Sequence, residues 1–360
     1  MQGQSNSESR ARARRTLQCY ISTQQSGVLT GDAQAETGPA VLSSGFRTMS
    51  AGNIGISPAE LINDKNIQFL VYELSSYQLH YLKNIRFDFG ALLNVTEDHL
   101  AWHGNMKNYF DDKMRLSTIS DNFAYNADSV CLEKDFDFLK IGKNKMEKCA
   151  CHIDLGNKEY MINLRGDLKR IDYSGLKLLG EHNIYNAAFA SLIGVYYGIT
   201  EGAIEKSLEE FLPEEHRMEI FENYKDVEFV NDSKSTNADS LVNAIKTFHK
   251  KHNNLILLCG GRGKGEDYTI LSQEIIGKVK KTYICGENSR ELRTLLEGKC
   301  DFENFENWNS LIDSVFDNLE KNTTVLFSPG GSSFDFFENY KQRGEYFKKY
   351  VNSKLISLNL

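Results

Sequence analysis

No run of about 18 apolar residues occurs anywhere in the chain, so no segment is built to cross a membrane as a helix. The N-terminus has no apolar h-region, which predicts that there is no signal peptide. An excess of positive charge is missing too. The formal net charge is −7, which argues against a nucleic-acid binder. The seven cysteines show no paired C-x-x-C spacing. Cys149-Ala-Cys151-His152 is their one cluster and, without distant partners, reads as incidental rather than as a zinc site. Free thiols without an export signal place the chain in a reducing cytoplasm. Lysine is absent until Lys65, although Arg10, Arg12, Arg14 and Arg15 come earlier. Residues 1–45 are dominated by Gln, Ser, Gly, Ala and Thr and show little helical or strand period. They read as an unassigned segment, either a disordered basic tail or a stretch outside the gene's own frame. What remains has a globular composition, 41% hydrophobic and 25% charged. Its 360 residues suffice for two or three domains.

The most informative stretch runs from Val71 to Leu116. Two apolar runs, FLVYEL and FGALLNV, read as buried parallel strands. The first ends in Glu73-Leu74-Ser75-Ser76 and the second in a polar string closing on Asp98-His99. Ligands of open α/β sheets bind beyond the carboxyl ends of the strands, so Glu73 and His99 should face one crevice. Lys113 follows on a predicted helix. A carboxylate, an imidazole and a lysine together suit a hard cation and phosphates. Read singly, each has a plainer explanation: Glu73 as a helix cap, His99 as a loop histidine, Lys113 as a solvated residue beside Asp111 and Asp112.

Further along, segments between 128 and 172 alternate short apolar runs with turns and predict a small antiparallel element. Gly180-Glu181-His182-Asn183-Ile184-Tyr185-Asn186 opens a buried helix that ends at Gly198. Thr200 caps the next helix, and Pro213 marks a domain boundary. Beyond it, VEFVND, NLILLCGG, KTYICGE and TTVLFSPG alternate with helical stretches, which predicts a doubly wound parallel sheet. Three of these strands end in polar strings: Asn231 to Asn237, Gly260 to Asp267, and Ser328 to Asp335. The GGRGKG turn is neither a dinucleotide fingerprint nor a Walker loop, because Gly265 stands where Ser or Thr is needed.

In combination the strings ELSSYQL, NVTEDHL, YFDDK, GEHNIYN, EHRME, NDSKSTN, SPGGSSFD and QRGEYF resemble those of the Mur ligases that build the peptidoglycan precursor. Among these ligases they are most similar to those that add D-glutamate. The resemblance covers residues 45–360. It implies a Mur-ligase-like central parallel-sheet ATPase domain over 46–212, incomplete, followed by a Rossmann-like C-terminal domain over 213–360. It implies an ATP-dependent amide ligase that uses Mg2+ and joins D-glutamate to UDP-N-acetylmuramoyl-L-alanine through an acyl phosphate. It further implies that Glu73 and His99 bind Mg2+, with Lys113 carbamylated as a third ligand. By the same correspondence Asn186, Arg217, Asp232 and Lys234 meet ATP, and Asn53, Ser75 and Gln78 meet the muramoyl substrate. Thr236, Lys264, Ser333, Phe334 and Tyr340 would then form the D-glutamate pocket. A cytoplasmic monomer that binds neither membrane nor nucleic acid is expected.

The sequence departs from the family in one place. Mur ligases carry G-T-x-G-K-[ST] upstream of the motif seen here as Gly52-Asn53-Ile54-Gly55, and no such string is present. The family's domain for the uridine nucleotide is also not recognisable. We expect a truncated or frame-shifted start that rejoins the pattern near Gly45. Two other readings stay open: a catalytically inactive, ligand-binding remnant, and another ligase of the Mur or folylpolyglutamate type.

Overall fold

The computed structural model describes residues 17–22, 47–53, 56–61, 64, 66–95, 100–130, 138–144, 149–249, 254–263 and 268–357. His99 and Lys264 lie outside the described residues. The chain divides into two compact units; among the described residues the second is made of 177–184 and 212–357.

The first unit is built on one sheet. Its strands are β1 (Leu17–Ser22), β2 (Thr48–Gly52), β3 (Phe69–Glu73), β4 (Phe87–Leu92), β5 (Ser120–Asn126), β6 (Leu139–Gly142), β7 (Cys149–Asp154), β8 (Glu159–Leu164) and β9 (Asp167–Asp172). They lie in the order β2-β3-β1-β4-β5-β6-β7-β8-β9. All pairings up to β7 are parallel, and β7, β8 and β9 pair antiparallel. Phe69, Leu70 and Val71 are buried in succession, as are Phe89, Gly90, Ala91 and Leu92. This continuous burial is why both segments read as central strands. The helices are α1 (Pro58–Leu61), α2 (Ser76–Tyr81), α3 (Leu100–His103), α4 (Met106–Thr118), α5 (Glu181–Tyr196) and α6 (Glu201–Glu210).

Two features differ from expectation. Leu17–Ser22, in the stretch for which no regular structure is expected, is a strand. Its backbone pairs with β3 on one side and β4 on the other, and so fills the slot between them. An open slot there would leave two rows of backbone N–H and C=O groups without partners. Within 128–172, β7, β8 and β9 form the expected antiparallel pairs, but β6 and β7 continue the main sheet in parallel.

The second unit contains β10 (Glu219–Tyr224), β11 (Val227–Asn231), β12 (Asn254–Gly260), β13 (Lys281–Cys285), β14 (Asp301–Phe305) and β15 (Thr323–Gly330). Their order is β10-β11-β15-β12-β13-β14, parallel except for β10. The helices α7 (Ala238–Phe248), α8 (Thr269–Glu274), α9 (Ser289–Leu296), α10 (Trp308–Asp317) and α11 (Tyr340–Ser357) complete it. Leu241, Val242, Ala244, Ile245 and Phe248 repeat at helical spacing along α7 and share one core with Leu255 and Leu257 of β12. Full burial of each large side chain stabilises by about 1.5–3 kcal/mol. The last strand, β15, enters between β11 and β12, so the carboxyl ends of these three strands lie side by side. No helix among the described residues is long and apolar enough to cross a membrane.

Candidate active site

In the first unit the site begins at the carboxyl end of β3. Glu73 is only 1% exposed. Asn53, just past β2, holds it twice: its backbone N–H donates to the Glu73 carbonyl at 2.7 Å, and its side-chain amide donates to Glu73 Oε1 at 3.0 Å. This approach requires Gly52. Its φ is +117°, and a Cβ there would sit 2.1 Å from the Glu73 carbonyl oxygen. The carboxylate is thus an oriented oxygen donor at a strand end, the kind of ligand a hard cation takes. Lys113, on α4, is also 1% exposed, with its ammonium 5.2 Å from the centre of the Tyr109 ring. It is therefore not a solvated surface lysine.

Ser75 and Gln78 form a capping box at the start of α2. Gln78 N–H donates to Ser75 Oγ at 3.3 Å, and Ser75 N–H donates to Gln78 Oε1 at 2.8 Å. These two expected substrate contacts thus also stiffen the turn that follows Glu73. The cap uses Gln78 Oε1 and not its amide nitrogen. Asn186 is fully buried on α5.

In the second unit three strand ends are stitched together. Asp232, after β11, accepts from Ser328 Oγ of β15 at 2.7 Å and from Met218 N–H at 3.1 Å. Burial pushes its carboxyl up to about 7 against those hydrogen bonds and the charges of Arg217 and Arg343. Gly261, after β12, exchanges no side chain with the loop after β15 because none would fit: its φ is +145° and a Cβ would lie 2.6 Å from the Ser332 carbonyl oxygen. Arg262 and Ser332 pair instead through both backbone groups, at 2.8 and 3.0 Å. Lys234 and Arg217 converge on one oxygen of Glu214, at 3.2 and 3.0 Å, and the Lys234 ammonium lies 5.4 Å from the centre of the Tyr340 ring. Both cations hold Glu214 below the usual carboxylate range, although its burial acts the other way. Thr236 is half-buried, Ser333 is buried, and Phe334 is exposed beside it.

Sequence reasoning passed over several residues that these contacts bring forward. Arg343 lies within the QRGEYF string but was given no role, and it is wholly buried against the two strand-end loops. His103 carries no sequence signal of its own, and Asp112 reads only as a neighbour of Lys113, yet the two join three helices. Their partners Ser76 and His80 lie 27 and 32 residues away, and no spacing rule finds such contacts.

Two of the shifted groups of this unit, His182 and Asp232, act oppositely with pH. Burial, with Arg217 adding to it, lowers His182 to about 4 from its ordinary 6.5. A depressed histidine contributes stability above pH 6.5, which is lost as pH falls through 4. Asp232, raised to about 7, contributes stability below pH 3.8, which is lost as pH rises through 7. In the native protein the two slopes oppose each other between pH 4 and 6.5. His182→Asn should remove the His182 slope, so its stability should fall more, or rise less, than that of the native protein between pH 4.5 and 6.5. The difference from the native protein should amount to about 1–3 kcal/mol across that range. Urea midpoints at four pH values measure this, and parallel curves for the two proteins would rule it out.

Comparison with known proteins places this geometry. Residues 52–194 match the Mur ligase middle domain, and residues 216–331 match the Mur ligase glutamate ligase domain. A protein from Prochlorococcus marinus named UDP-N-acetylmuramoylalanine–D-glutamate ligase is 34% identical over 321 residues, which span 85% of this chain and 67% of that protein. A Thermosipho melanesiensis protein of the same name is 32% identical over 86% of this chain and 68% of its own length. Among solved structures, a MurF ligase from Thermotoga maritima in complex with ADP superposes with a TM-score of 0.70 at 16% identity, covering 94% of this chain and 81% of that one. A pseudomurein peptide ligase type C from Methanothermus fervidus also gives 0.70, at 15% identity over 93% and 79%. Those two likenesses establish the fold, and the relatives at a third identity establish the kinship: this chain belongs to the Mur ligase family.

Proposed function

We propose that the chain is an ATP-dependent ligase that adds D-glutamate to UDP-N-acetylmuramoyl-L-alanine. The observation that carries this reading is the identity with relatives named for that reaction across both matched domains. In this reading 46–212 forms the ATPase domain and 213–360 the amino-acid domain, and the protein is a cytoplasmic monomer. The muramoyl carboxylate attacks the γ-phosphorus of ATP, and ADP leaves. The D-glutamate amine then attacks the acyl carbon, and phosphate leaves. Three anions meet, so cations and amide donors must neutralise moving charge. Glu73 would hold Mg2+, with His99 and a carbamylated Lys113; the ion would draw charge off the phosphoryl oxygens. Asn53 orients Glu73 and is suited, with Ser75 and Gln78, to meet the muramoyl substrate. Asn186, Arg217, Asp232 and Lys234 serve the nucleotide, for which Glu214 must yield its two cations. Thr236, Lys264, Ser333, Phe334 and Tyr340 line the D-glutamate pocket. An anionic side chain paired with the Lys264 ammonium is favoured over a neutral amide, which would leave that ammonium without a partner.

A chimera carrying the Prochlorococcus relative's segment ahead of Gly45 provides the test. Phosphate release should depend on D-glutamate, with D-glutamine a poor substrate. Lys264→Ala in this chimera should raise the KM for D-glutamate far more than that for ATP. Steady-state kinetics with each substrate varied in turn decides it. An unchanged KM for D-glutamate removes Lys264 from the pocket, and equal use of D-glutamine sinks the substrate assignment.

A further inference from the structure

His103 is the one histidine whose two ring nitrogens are both bonded to side chains of other helices among the described residues. Its side chain is wholly buried. Nδ1 lies 3.0 Å from Asp112 Oδ2 on α4, and Nε2 lies 2.9 Å from Ser76 Oγ at the start of α2. The Asp112 carboxylate accepts from Nδ1–H, and in the tautomer with its proton there Nε2 accepts from the Ser76 hydroxyl. The other Asp112 oxygen meets His80 Nδ1 of α2 at 2.8 Å. The ring edge packs on Tyr109, at 5.0 Å between centres, and the Lys113 ammonium lies over that same tyrosine. Asn108 of α4 donates to the His103 carbonyl at 2.8 Å.

These contacts join the two ends of the proposed cation site. Ser76 stands three residues after Glu73, and Asp112 immediately precedes Lys113. At its other end α2 is fixed to α4 as well, because Arg115 donates to the carbonyls of Leu79 and Leu82, each at 2.9 Å. Helix α2 is therefore clamped on α4 at both ends, and His103 is the clamp nearer to Glu73. We propose that His103 is a positioning residue for the cation site: it sets the helix that follows Glu73 against the helix that carries Lys113. It does not touch the ion itself. This inference rests on the reading of Glu73 as a cation ligand.

Mn2+ binding to the full 360-residue chain, followed by water-proton relaxation, tests it without any need for turnover. Glu73→Ala should weaken Mn2+ binding. His103→Phe keeps a ring against Tyr109 but loses both hydrogen bonds, and should weaken Mn2+ binding about tenfold, as loss of a ligand-orienting partner does. His103→Gln should restore most of that affinity, because its amide offers one donor and one acceptor at nearly the spacing of the two ring nitrogens. Ile162→Val on β8, which trims the core away from this network, should leave Mn2+ binding unchanged even where it lowers the unfolding midpoint. If His103→Phe does not fold, Ser76→Ala, which removes one bond and no ring, should show a smaller loss of the same kind. Native Mn2+ affinity in His103→Phe, or in Ser76→Ala where that variant is used, with lowered affinity in Glu73→Ala, overturns the positioning role alone. Native affinity in Glu73→Ala overturns the cation reading of Glu73 and this inference with it.

Discussion

The 360-residue chain is expected to release D-glutamate-dependent phosphate at least a thousandfold more slowly than the chimera that carries a relative's segment ahead of Gly45. Glycine followed by lysine occurs at several points in the sequence, but never with Ser or Thr next. A loop of the G-T-x-G-K-[ST] kind cradles phosphates with backbone N–H groups, places one ammonium on them and adds a hydroxyl to the metal shell. Hydrogen bonds to charged groups are worth about 1.5–3 kcal/mol each, so three such bonds amount to roughly 4.5–9 kcal/mol. If they act on the transition state, their loss costs more than a thousandfold in rate. Lys234 and Asn53 are the same in the chain and in the chimera, so they do not make up the difference. A coupled assay for phosphate with all three substrates measures the ratio. Comparable rates for the chain and the chimera would show that other groups hold the phosphates, and would remove the reading of this chain as impaired.

Much of the fold can be read from local sequence because the central strands are buried on both faces. Val227–Asn231 and Thr323–Gly330 are buried at every position, and both stand out as apolar runs. The edge strands β10, EIFENY, and β14, DFENF, are half-exposed and polar, and no such run marks them. Strand β1 escaped notice because its place depends on the slot between β3 and β4, which lie about fifty residues and more further along the chain. The site divides in the same way. Glu73, Asp232 and Ser333 follow strands that can be read, so their place beyond a strand end could be expected. The Ser76–His103–Asp112 network could not, since its members come from three helices and only packing brings them together. Lys113 shows the limit from the other side: with Asp111 and Asp112 beside it a solvated reading is natural, yet it is buried because α4 presents Tyr109, Lys113 and Leu116 inward at helical spacing.

Replacement of Arg343 is expected to be the most damaging single change in the second unit. Arg343 on α11 has no exposed surface. Its Nε donates to Ser233 Oγ at 3.1 Å, Nη1 to the Gly331 carbonyl at 2.9 Å, and Nη2 to the Ser233 carbonyl at 2.8 Å. One planar fork thus fastens the loop after β11 to the loop after β15, the two loops that carry Lys234 and Ser333. Burial pulls the guanidinium down to about 10, with Asp335 and Asp232 acting the other way, so it stays charged at neutral pH. Arg343→Met would leave two buried carbonyls and a buried hydroxyl without their donor, and Asp232 with Arg217 alone of its two nearby cations. Such losses cost about 3–5 kcal/mol. For a unit of this size that lowers the unfolding midpoint by roughly 6–20 °C. Arg343→Lys should recover little, because one ammonium cannot reproduce a fork. Arg262 supplies the comparison: it makes an equally short two-pronged pair with Glu287, at 2.9 Å for both bonds, but at the exposed surface. Removal of that pair should leave the midpoint nearly unchanged, because water screens it and takes over its hydrogen bonds. Thermal unfolding of Arg343→Met and Arg262→Met beside the native protein separates the two cases. Equal shifts would mean that burial does not set the worth of the Arg343 fork, and that the two strand-end loops hold their places without it.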